Sequence, residues 1–339
     1  MAESLSENEI RPQHLKKGQE ERYARDVARL MLNKPNFVEV NCPACDRSET
    51  EQAFQKLGLE FVKCLGCLTI YASPRPTFEH MCDYYANSEN YAYWNQYIFP
   101  ASEAMRTEKI FKPRVDLVID LCRRFNINPG LLVEIGAGFG TFCREMASRN
   151  YFQRLVALEP TPDLAATCRE EGIETFESTI EQVDSADLLG SSNKIDVIAS
   201  FEVIEHLFAP TDFIARCAQL LPSGGLLILT CPNSAGFDIE TLGALSSAVD
   251  TEHVNLFNPQ SLSLLCESHG FTVVEQQTPG RLDAELVRDQ VLSGTFSIEN
   301  QPFLEKVLIN EWETLGKPFQ DFLTANKLSS NMLIAAIKN

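Results

Sequence analysis

The sequence predicts an α/β protein built on a doubly wound, mostly parallel sheet. An apolar run at 131–135 leads directly into Gly-Ala-Gly-Phe-Gly at 136–140, and a helical stretch begins at Thr141. After this strand, turn and helix, strand and helix patterns alternate along the chain, as is typical of parallel sheets covered by helices. A pair of cysteine motifs near the N-terminus predicts a second, smaller module.

Composition limits the classes of function. The 339 residues carry a formal net charge of −18, which disfavours nucleic acid and anionic membranes as partners. No apolar run approaches the length of a membrane span, and the polar first residues do not form a signal peptide. We therefore expect a cytoplasmic location and no membrane contact. Its eleven cysteines are then expected to be metal ligands or free thiols rather than a disulfide framework.

The N-terminal part contains the strongest metal motif. Residues 1–36 are predicted to be a polar tail and a short amphipathic helix over 20–32. In the following segment, 37–75, two Cys-x-x-Cys motifs are separated by eighteen residues, the spacing of a zinc ribbon. Four thiolates leave no open coordination position, so this zinc is expected to be structural. The predicted ligands are Cys42, Cys45, Cys64 and Cys67.

Residues 76–128 connect the zinc ribbon to the sheet. Seven aromatic residues fall between 84 and 100. Two interpretations are open for this cluster: a helix that packs on the next domain, or a lid that closes over a ligand pocket. A long helix is predicted over 103–125, leading into the glycine stretch.

The core is predicted over 129–276. The glycine pattern is Gly-x-Gly-x-Gly, whereas a dinucleotide fingerprint would need its third glycine one position after Gly140. Glu134 lies at the strand end before the glycines, where an acid suits a cationic amino-acid group better than a pyrophosphate. Glu159 ends the second strand and is placed to bind both hydroxyls of a ribose. Strands are predicted at 131–135, 154–158, 173–176, 195–201 and 226–231.

Five segments of this core occur in the order typical of one enzyme family. They are Val133–Gly140, Leu158–Pro160, Phe201–Leu207, Leu221–Gly225 and Thr230–Asn233. Together they resemble the class I S-adenosylmethionine (SAM)-dependent methyltransferases, over 130–275 and a final strand at 332–337. Bacterial methyltransferases of sugar and polysaccharide pathways are similar at the front too, because they often carry such an N-terminal zinc module. The resemblance implies a seven-stranded sheet with an antiparallel last strand.

The resemblance also implies where SAM binds. The glycine turn and the two acids are expected to hold the cofactor, Phe201 is expected to line the pocket, and the end of the third strand is expected to border the adenine. The complete set of expected cofactor-binding residues is Glu134, Gly136, Ala137, Gly138, Phe139, Gly140, Glu159, Pro160, Ser178, Thr179 and Phe201.

Methyl transfer to oxygen or carbon also needs a base or a metal, because the acceptor must lose a proton. Candidate residues are Glu202, Glu205 and His206 after the fourth strand, and His253 after the fifth. Two carboxylates and two imidazoles suit a divalent ion, and this set resembles the metal site of small-RNA 3′-terminal 2′-O-methyltransferases. Ubiquinone-pathway O-methyltransferases have a similar strand end. A metal-free histidine base is the alternative, and both remain open.

Residues 277–331 form an insertion with helices predicted near 283–291 and 302–325, either a cap over the acceptor or a structural pair, before a final strand at 332–339. The sequence thus predicts a SAM-dependent methyltransferase acting on a hydroxyl or carbon of a small molecule, favouring a sugar or a nucleotide-sugar or polysaccharide intermediate. Alternatives are a metal-dependent RNA 2′-O-methyltransferase, a nicotinamide-dependent oxidoreductase, and a non-catalytic zinc-ribbon interaction protein. The oligomeric state is not predicted.

Overall fold

The structure is a computed structural model that describes residues 5–339. The described chain divides into two compact units. One unit, called here the cysteine unit, comprises the described residues up to Ala104 together with 232–261 and 277–332. The other, called the core unit, comprises 105–231, 262–276 and 333–339.

Strands and helices follow the alternation that the sequence predicts. The strands are β1 (Thr50–Lys56), β2 (Leu59–Cys64), β3 (Ile70–Ala72), β4 (Leu131–Ile135), β5 (Arg154–Leu158), β6 (Glu174–Phe176), β7 (Val197–Phe201), β8 (Leu226–Pro232), β9 (Asn255–Leu256), β10 (Phe271–Gln277) and β11 (Asn331–Lys338). The α-helices are α1 (Glu7–Ile10), α2 (Gln13–Met31), α3 (Phe78–Ala86), α4 (Glu89–Tyr93), α5 (Phe99–Arg106), α6 (Lys112–Arg124), α7 (Thr141–Ser148), α8 (Pro162–Glu170), α9 (Ser185–Leu189), α10 (Pro210–Leu220), α11 (Phe237–Leu242), α12 (Pro259–Ser268), α13 (Asp283–Leu292), α14 (Pro302–Glu305) and α15 (Trp312–Ala325). Short 3₁₀ turns occur at Lys34–Asn36, Ile204–His206 and Gly243–Leu245, and π turns at Trp94–Ile98, Thr107–Phe111 and Lys306–Asn310.

The larger sheet confirms the predicted fold. In the described residues it has seven strands in the order β10-β11-β8-β7-β4-β5-β6. The pairs β4–β5, β4–β7, β5–β6 and β7–β8 are all parallel. The strand order reverses between β4 and β7, and ligands of open α/β sheets bind at such a point, beyond the carboxyl ends of the strands.

The long helix predicted over 103–125 is present, since helical backbone continues from α5 through the π turn at Thr107–Phe111 into α6. Pro113 has no backbone N–H to donate, and proline is tolerated in the first turn of a helix, where it lies in α6. Buried side chains of α6 and α7, such as Val118 and Phe142, join the strands in one apolar core. Helix α6 therefore packs on the sheet of the core unit together with α7, the helix that follows the glycine turn.

The cysteine unit has its own sheet, which the sequence does not predict in full. Its strand order is β1-β2-β3-β9, and each neighbouring pair is antiparallel. The fourth strand comes from Asn255–Leu256, far along the chain from the other three. Apolar side chains including Phe61, Val254 and Leu256 pack together under this sheet.

The segment between β10 and β11 is helical, as predicted. Its helices are α13, α14 and α15, and Val287 and Leu308 are buried in a separate small cluster. The helix predicted over 302–325 is interrupted by the π turn at Lys306–Asn310. Within residues 5–339, none of the helices combines the length and apolar character that crossing a membrane requires.

Candidate functional site

The glycine turn between β4 and α7 leaves space for a ligand. Gly136, Gly138 and Gly140 have φ angles of 75°, 56° and 69°, in the left-handed region that side chains disfavour. A Cβ on Gly136 would lie 2.4 Å from Val203 Cγ2, and one on Gly140 would lie 2.5 Å from Ile173 Cδ1. A Cβ on Gly138 would meet no described atom within 4 Å. Two glycines thus allow close packing, and Gly138 faces open space.

Glu159, directly after β5, is hydrogen-bonded to this turn. Its Oε2 accepts the Gly138 N–H at 2.8 Å, and its Oε1 accepts the Thr161 N–H at 2.9 Å. The residue is only 4% exposed, and burial raises its pKa, although the two N–H donors oppose that rise. Because each carboxylate oxygen has a second lone pair, the oriented carboxylate can still accept hydroxyl donors.

Glu134, within β4, is a buried acid with an available acceptor. Cys143, near the start of α7, interacts with its carboxyl and lowers the pKa, against the larger effect of burial. Its Oε2 has no hydrogen-bond partner among the described residues, although Glu134 is only 3% exposed. Burial raises the pKa of Glu134 to about 8. A buried oxygen without a partner is costly, so this carboxylate fits a ligand that brings a donor or a positive charge.

Arg114, on α6, is a site residue that sequence reasoning missed. Its guanidinium carbon lies 4.4 Å from the centroid of the Phe201 ring, and its Nη2 lies 4.0 Å from Glu202 Oε1. Burial lowers its pKa, while the charges of Glu202 and Glu134 raise it. No motif marks Arg114, because it lies in a helix well before the glycine stretch. It brings a cation to an edge of the sheet that otherwise carries acids.

Three of the predicted catalytic residues follow β7 in the core unit. Glu202 has a φ of 57°, which is uncommon for a residue other than glycine, and its Oε1 accepts the Thr230 hydroxyl at 2.6 Å. Glu205 is fully buried, and His206 is partly exposed in the turn Ile204–His206. The structure therefore places two acids and one imidazole at the carboxyl end of the strand beside β4.

The fourth predicted catalytic residue, His253, lies in the cysteine unit, directly before Val254 and β9. Its Nδ1 is 2.8 Å from the Ala248 carbonyl oxygen and 3.4 Å from Asp250 Oδ2. The convergence of His253 with His206 on one acceptor stays a prediction.

The other predicted cofactor residues lie near the same edge of the core unit's sheet. Ala137 is buried and donates its N–H to the Leu158 carbonyl at 3.2 Å. The aromatic ring of Phe201 packs on Phe142, with ring centroids 4.8 Å apart. The remaining four flank these elements: Phe139 in the turn, Pro160 after Glu159, and Ser178 and Thr179 after β6.

Most of the core unit is similar to known proteins. Residues 108–276 match the sequence profile of a methyltransferase domain. This part of the chain is a methyltransferase domain. Together with the seven-stranded sheet and the glycine turn, the match places it among the class I SAM-dependent methyltransferases, as the motifs predicted.

Relatives of the methyltransferase domain are enzymes named for small-molecule methylation. The chain is 28% identical over 125 residues to a ubiquinone biosynthesis O-methyltransferase of Xanthomonas oryzae pv. oryzae (strain PXO99A), across 36% of this chain and 52% of the relative. It is 34% identical over 128 residues to the ubiquinone biosynthesis O-methyltransferase of Caulobacter sp. (strain K31), across 36% and 47%. The chain spans about half the length of these relatives. A SAM-dependent methyltransferase structure from Clostridium acetobutylicum ATCC 824 aligns with a TM-score of 0.47 and 9% identity, covering 73% of this chain and 99% of that chain.

Outside the methyltransferase domain, the four predicted zinc ligands form one cluster. Their Sγ atoms lie within 4.8 Å of one another, with Cys42 3.4 Å from Cys67 and Cys45 3.5 Å from Cys64. A disulfide would need about 2 Å, whereas four thiolates around one Zn²⁺ lie about 3.8 Å apart. Thr69 Oγ1 lies 3.1 Å from Cys67 Sγ, a polar neighbour of the kind that supports metal-bound thiolates. The cluster therefore fits zinc.

Tyrosines of the aromatic segment and of α2 form a group of contacts with residues 251–252, which sequence reasoning missed. The Tyr84 hydroxyl donates to Oε1 of the buried Glu252 at 2.7 Å, and Tyr91 bonds to the same carboxylate. The Tyr23 hydroxyl accepts the Thr251 N–H at 3.1 Å. Burial raises the pKa of Glu252, and the charge of the nearby Asp250 raises it further. These tyrosines hold the loop that carries His253.

Proposed function

We propose that this protein transfers a methyl group from SAM to a hydroxyl or carbon of a small molecule, and that the acceptor is a sugar or a nucleotide-sugar or polysaccharide intermediate. The observation that carries the cofactor assignment is the Glu159 carboxylate bonded to Gly138 across an open turn. The cysteine module joined to a methyltransferase domain favours the sugar class. The formal net charge of −18 disfavours a polyanionic acceptor such as RNA.

In this proposal three side chains of the methyltransferase domain recognise three parts of SAM. Glu159 accepts the two ribose hydroxyls, which are paired donors. Glu134 offers its unpartnered oxygen to the ammonium of the methionine end. Arg114 offers its guanidinium to the carboxylate of the same end, because a planar guanidinium matches a carboxylate.

We expect Glu159→Ala to weaken SAM binding by roughly 1.5–3 kcal/mol, because charge-assisted hydrogen bonds to the ribose are lost. Calorimetric titration of SAM measures this change. Asp163→Ala is the matched control, since Asp163 is an exposed acid in the first turn of α8 and removes the same charge. Equal affinities in wild type and Glu159→Ala would refute the assignment of the ribose site.

We expect SAM affinity to rise with pH between about 6 and 7.5. Glu134 has a pKa of about 8, so its carboxyl is mostly protonated in this range before SAM binds. An ammonium beside it favours the ionised form, so binding releases a proton, and affinity increases by up to about tenfold per pH unit. The range stays below the pH at which an α-ammonium itself titrates, near 8.

Calorimetry in two buffers of different ionisation enthalpy counts the protons released by this binding. Glu134→Gln cannot ionise, so its SAM affinity should be nearly independent of pH over the same range. Proton release of the same size in Glu134→Gln would assign the effect to another group.

Methyl transfer itself is an in-line displacement. The acceptor atom attacks the methyl carbon as the bond to sulfur breaks, and the electron pair of that bond returns to sulfur to give S-adenosylhomocysteine. The acceptor's proton passes to a base, for which we propose His253 or His206. A zinc ion held by the four cysteines would link the two Cys-x-x-Cys motifs and would have no open position for catalysis.

A panel of sugar nucleotides incubated with the protein and SAM tests the acceptor class. We expect one of them to gain the mass of a methyl group while an equal amount of S-adenosylhomocysteine forms. Methylation of RNA oligonucleotides but of no sugar nucleotide would contradict the acceptor class while leaving SAM recognition intact.

A further inference from the structure

We propose that Asn258 is a positioning residue, which ties the cysteine cluster to the strand after His253 and so sets the orientation of that histidine. The loop that carries the histidine, residues 248–254, is called here the histidine loop. The inference rests on the proposed role of His253 as the base in methyl transfer.

The chain after the histidine loop becomes β9, which pairs with β3 through Ile70 opposite Leu256 and Tyr71 opposite Asn255. The Ala72 N–H also donates to the Val254 carbonyl at 2.9 Å. Strand β3 itself begins three residues after Cys67, the last of the four clustered cysteines. The end of the histidine loop is therefore attached to the segment that leaves the cluster.

Strand β9 needs a contact beyond its backbone pairing to stay in place. It has only two residues, and so short a strand forms few backbone hydrogen bonds. Asn258 supplies the anchor, because its Nδ2 donates to the Cys67 carbonyl oxygen at 3.0 Å. Both residues are buried, at 7% and 5% exposed, so the bond is shielded from water.

Two hydrogen bonds fix the orientation of the Asn258 amide. Its Oδ1 accepts the Ser261 N–H at 2.9 Å, at the start of α12. Only the carbonyl end of an amide can accept an N–H, so the NH₂ end must face the Cys67 carbonyl. One side chain therefore binds the helix start with its acceptor and the cysteine cluster with its donor. A carboxylate would retain the first contact and lose the second.

The shape of the histidine loop determines which ring nitrogen of His253 can accept a proton. His253 Nδ1 lies 2.8 Å from the Ala248 carbonyl, which can only accept, so in the neutral ring Nδ1 bears the proton. Nε2 then holds the lone pair that a base needs. Asp250 Oδ1 accepts the N–H groups of Glu252 and His253 at 2.8 and 2.7 Å, which fixes the turn before the ring. Movement of β9 would change the direction of Nε2 without removing the imidazole.

Asn258→Asp in the full-length protein tests the inference. Aspartate retains an acceptor for Ser261 and places an oxygen against the Cys67 carbonyl, so the anchor is lost. We expect kcat to fall by roughly 10- to 100-fold, the usual effect of a small misplacement or a lost outer contact. We also expect SAM affinity to stay within about twofold of wild type, and hydrogen exchange of the peptide spanning 250–257 to accelerate. Exchange of the peptide spanning 131–142, which holds the glycine turn, should not change.

Ser261→Ala is the matched control, because the Ser261 hydroxyl accepts the Asn258 N–H at 3.0 Å but does not contact Cys67. It weakens the helix start and leaves the anchor in place, so kcat and loop exchange should stay close to wild type. A loss in Ser261→Ala equal to that in Asn258→Asp would overturn the inference. So would wild-type kcat, or unchanged loop exchange, in Asn258→Asp.

A second measurement covers the case in which Asn258→Asp does not fold. Wild-type protein stripped of zinc by a chelator should show faster exchange at 250–257, with SAM affinity retained. Unchanged exchange there would overturn the inference. The proposed base fails separately, if His253→Ala keeps the wild-type rate. The exchange results would then still report whether the cluster holds the histidine loop.

Discussion

Alanine in place of His253 should lower turnover by roughly 10²- to 10⁴-fold while SAM affinity stays close to wild type, because general-base catalysis is lost and the cofactor contacts are not. Steady-state kinetics with SAM and the acceptor, together with a SAM titration, measure both quantities. His269→Ala is the matched control. Its imidazole Nδ1 lies 2.9 Å from the Leu265 carbonyl oxygen at the end of α12.

His206→Ala distinguishes the two candidate bases. Replacing the histidine that acts as the base should also remove the acidic limb of the pH profile of kcat. A base must be deprotonated to accept a proton, and the variant no longer has this group to titrate. Wild-type turnover in both alanine variants would exclude a histidine base.

The predicted alternative of a divalent ion has a different pattern of results. A chelator should abolish turnover, a divalent ion should restore it, and Glu202→Gln and Glu205→Gln should fail in the same way as the histidine variants. Zinc content must be monitored in the same samples, since a chelator would also remove an ion held by the cysteine cluster. Full turnover after metal removal would exclude an ion at these residues.

A double variant, Cys42→Ser with Cys64→Ser, should lose the zinc that we expect at one ion per chain. Metal binding by the four thiolates should supply most of the stability of so small a module. Loss of the zinc should therefore also unfold the segment around β1–β3. Plasma mass spectrometry measures the zinc, and hydrogen exchange over 42–72 measures the unfolding. Cys82→Ser is the control, because Cys82 is exposed and lies outside the cluster. Zinc retained in full by the double variant would contradict the assignment.

The sheet of the core unit was predictable because its central strands are buried on both faces. Strands β4, β7 and β8 are buried at every position, so they occur in the sequence as mostly apolar runs, interrupted by Glu134, Ser200 and Thr230. The glycine turn was predictable for a related reason. Its three left-handed φ angles strongly favour glycine, and this preference is visible in the sequence itself.

Other parts of the site depend on contacts between distant segments and leave no local pattern. Strand β9 has two residues and is defined only by its pairing with β3. Arg114 occupies an ordinary helical position, and its role becomes visible only when α6 places it over Phe201. Glu252 precedes a predicted catalytic histidine, but its burial by Tyr84 and Tyr91 could not be inferred from spacing.

The central claim is that the glycine turn and Glu159 bind SAM, and calorimetric titration of wild-type protein with SAM and with NAD tests it most directly. The account predicts saturable SAM binding at one site per chain, with S-adenosylhomocysteine competing for it and NAD producing no binding heat. Binding of NAD at that site, or the absence of any SAM binding by folded protein, would contradict the account.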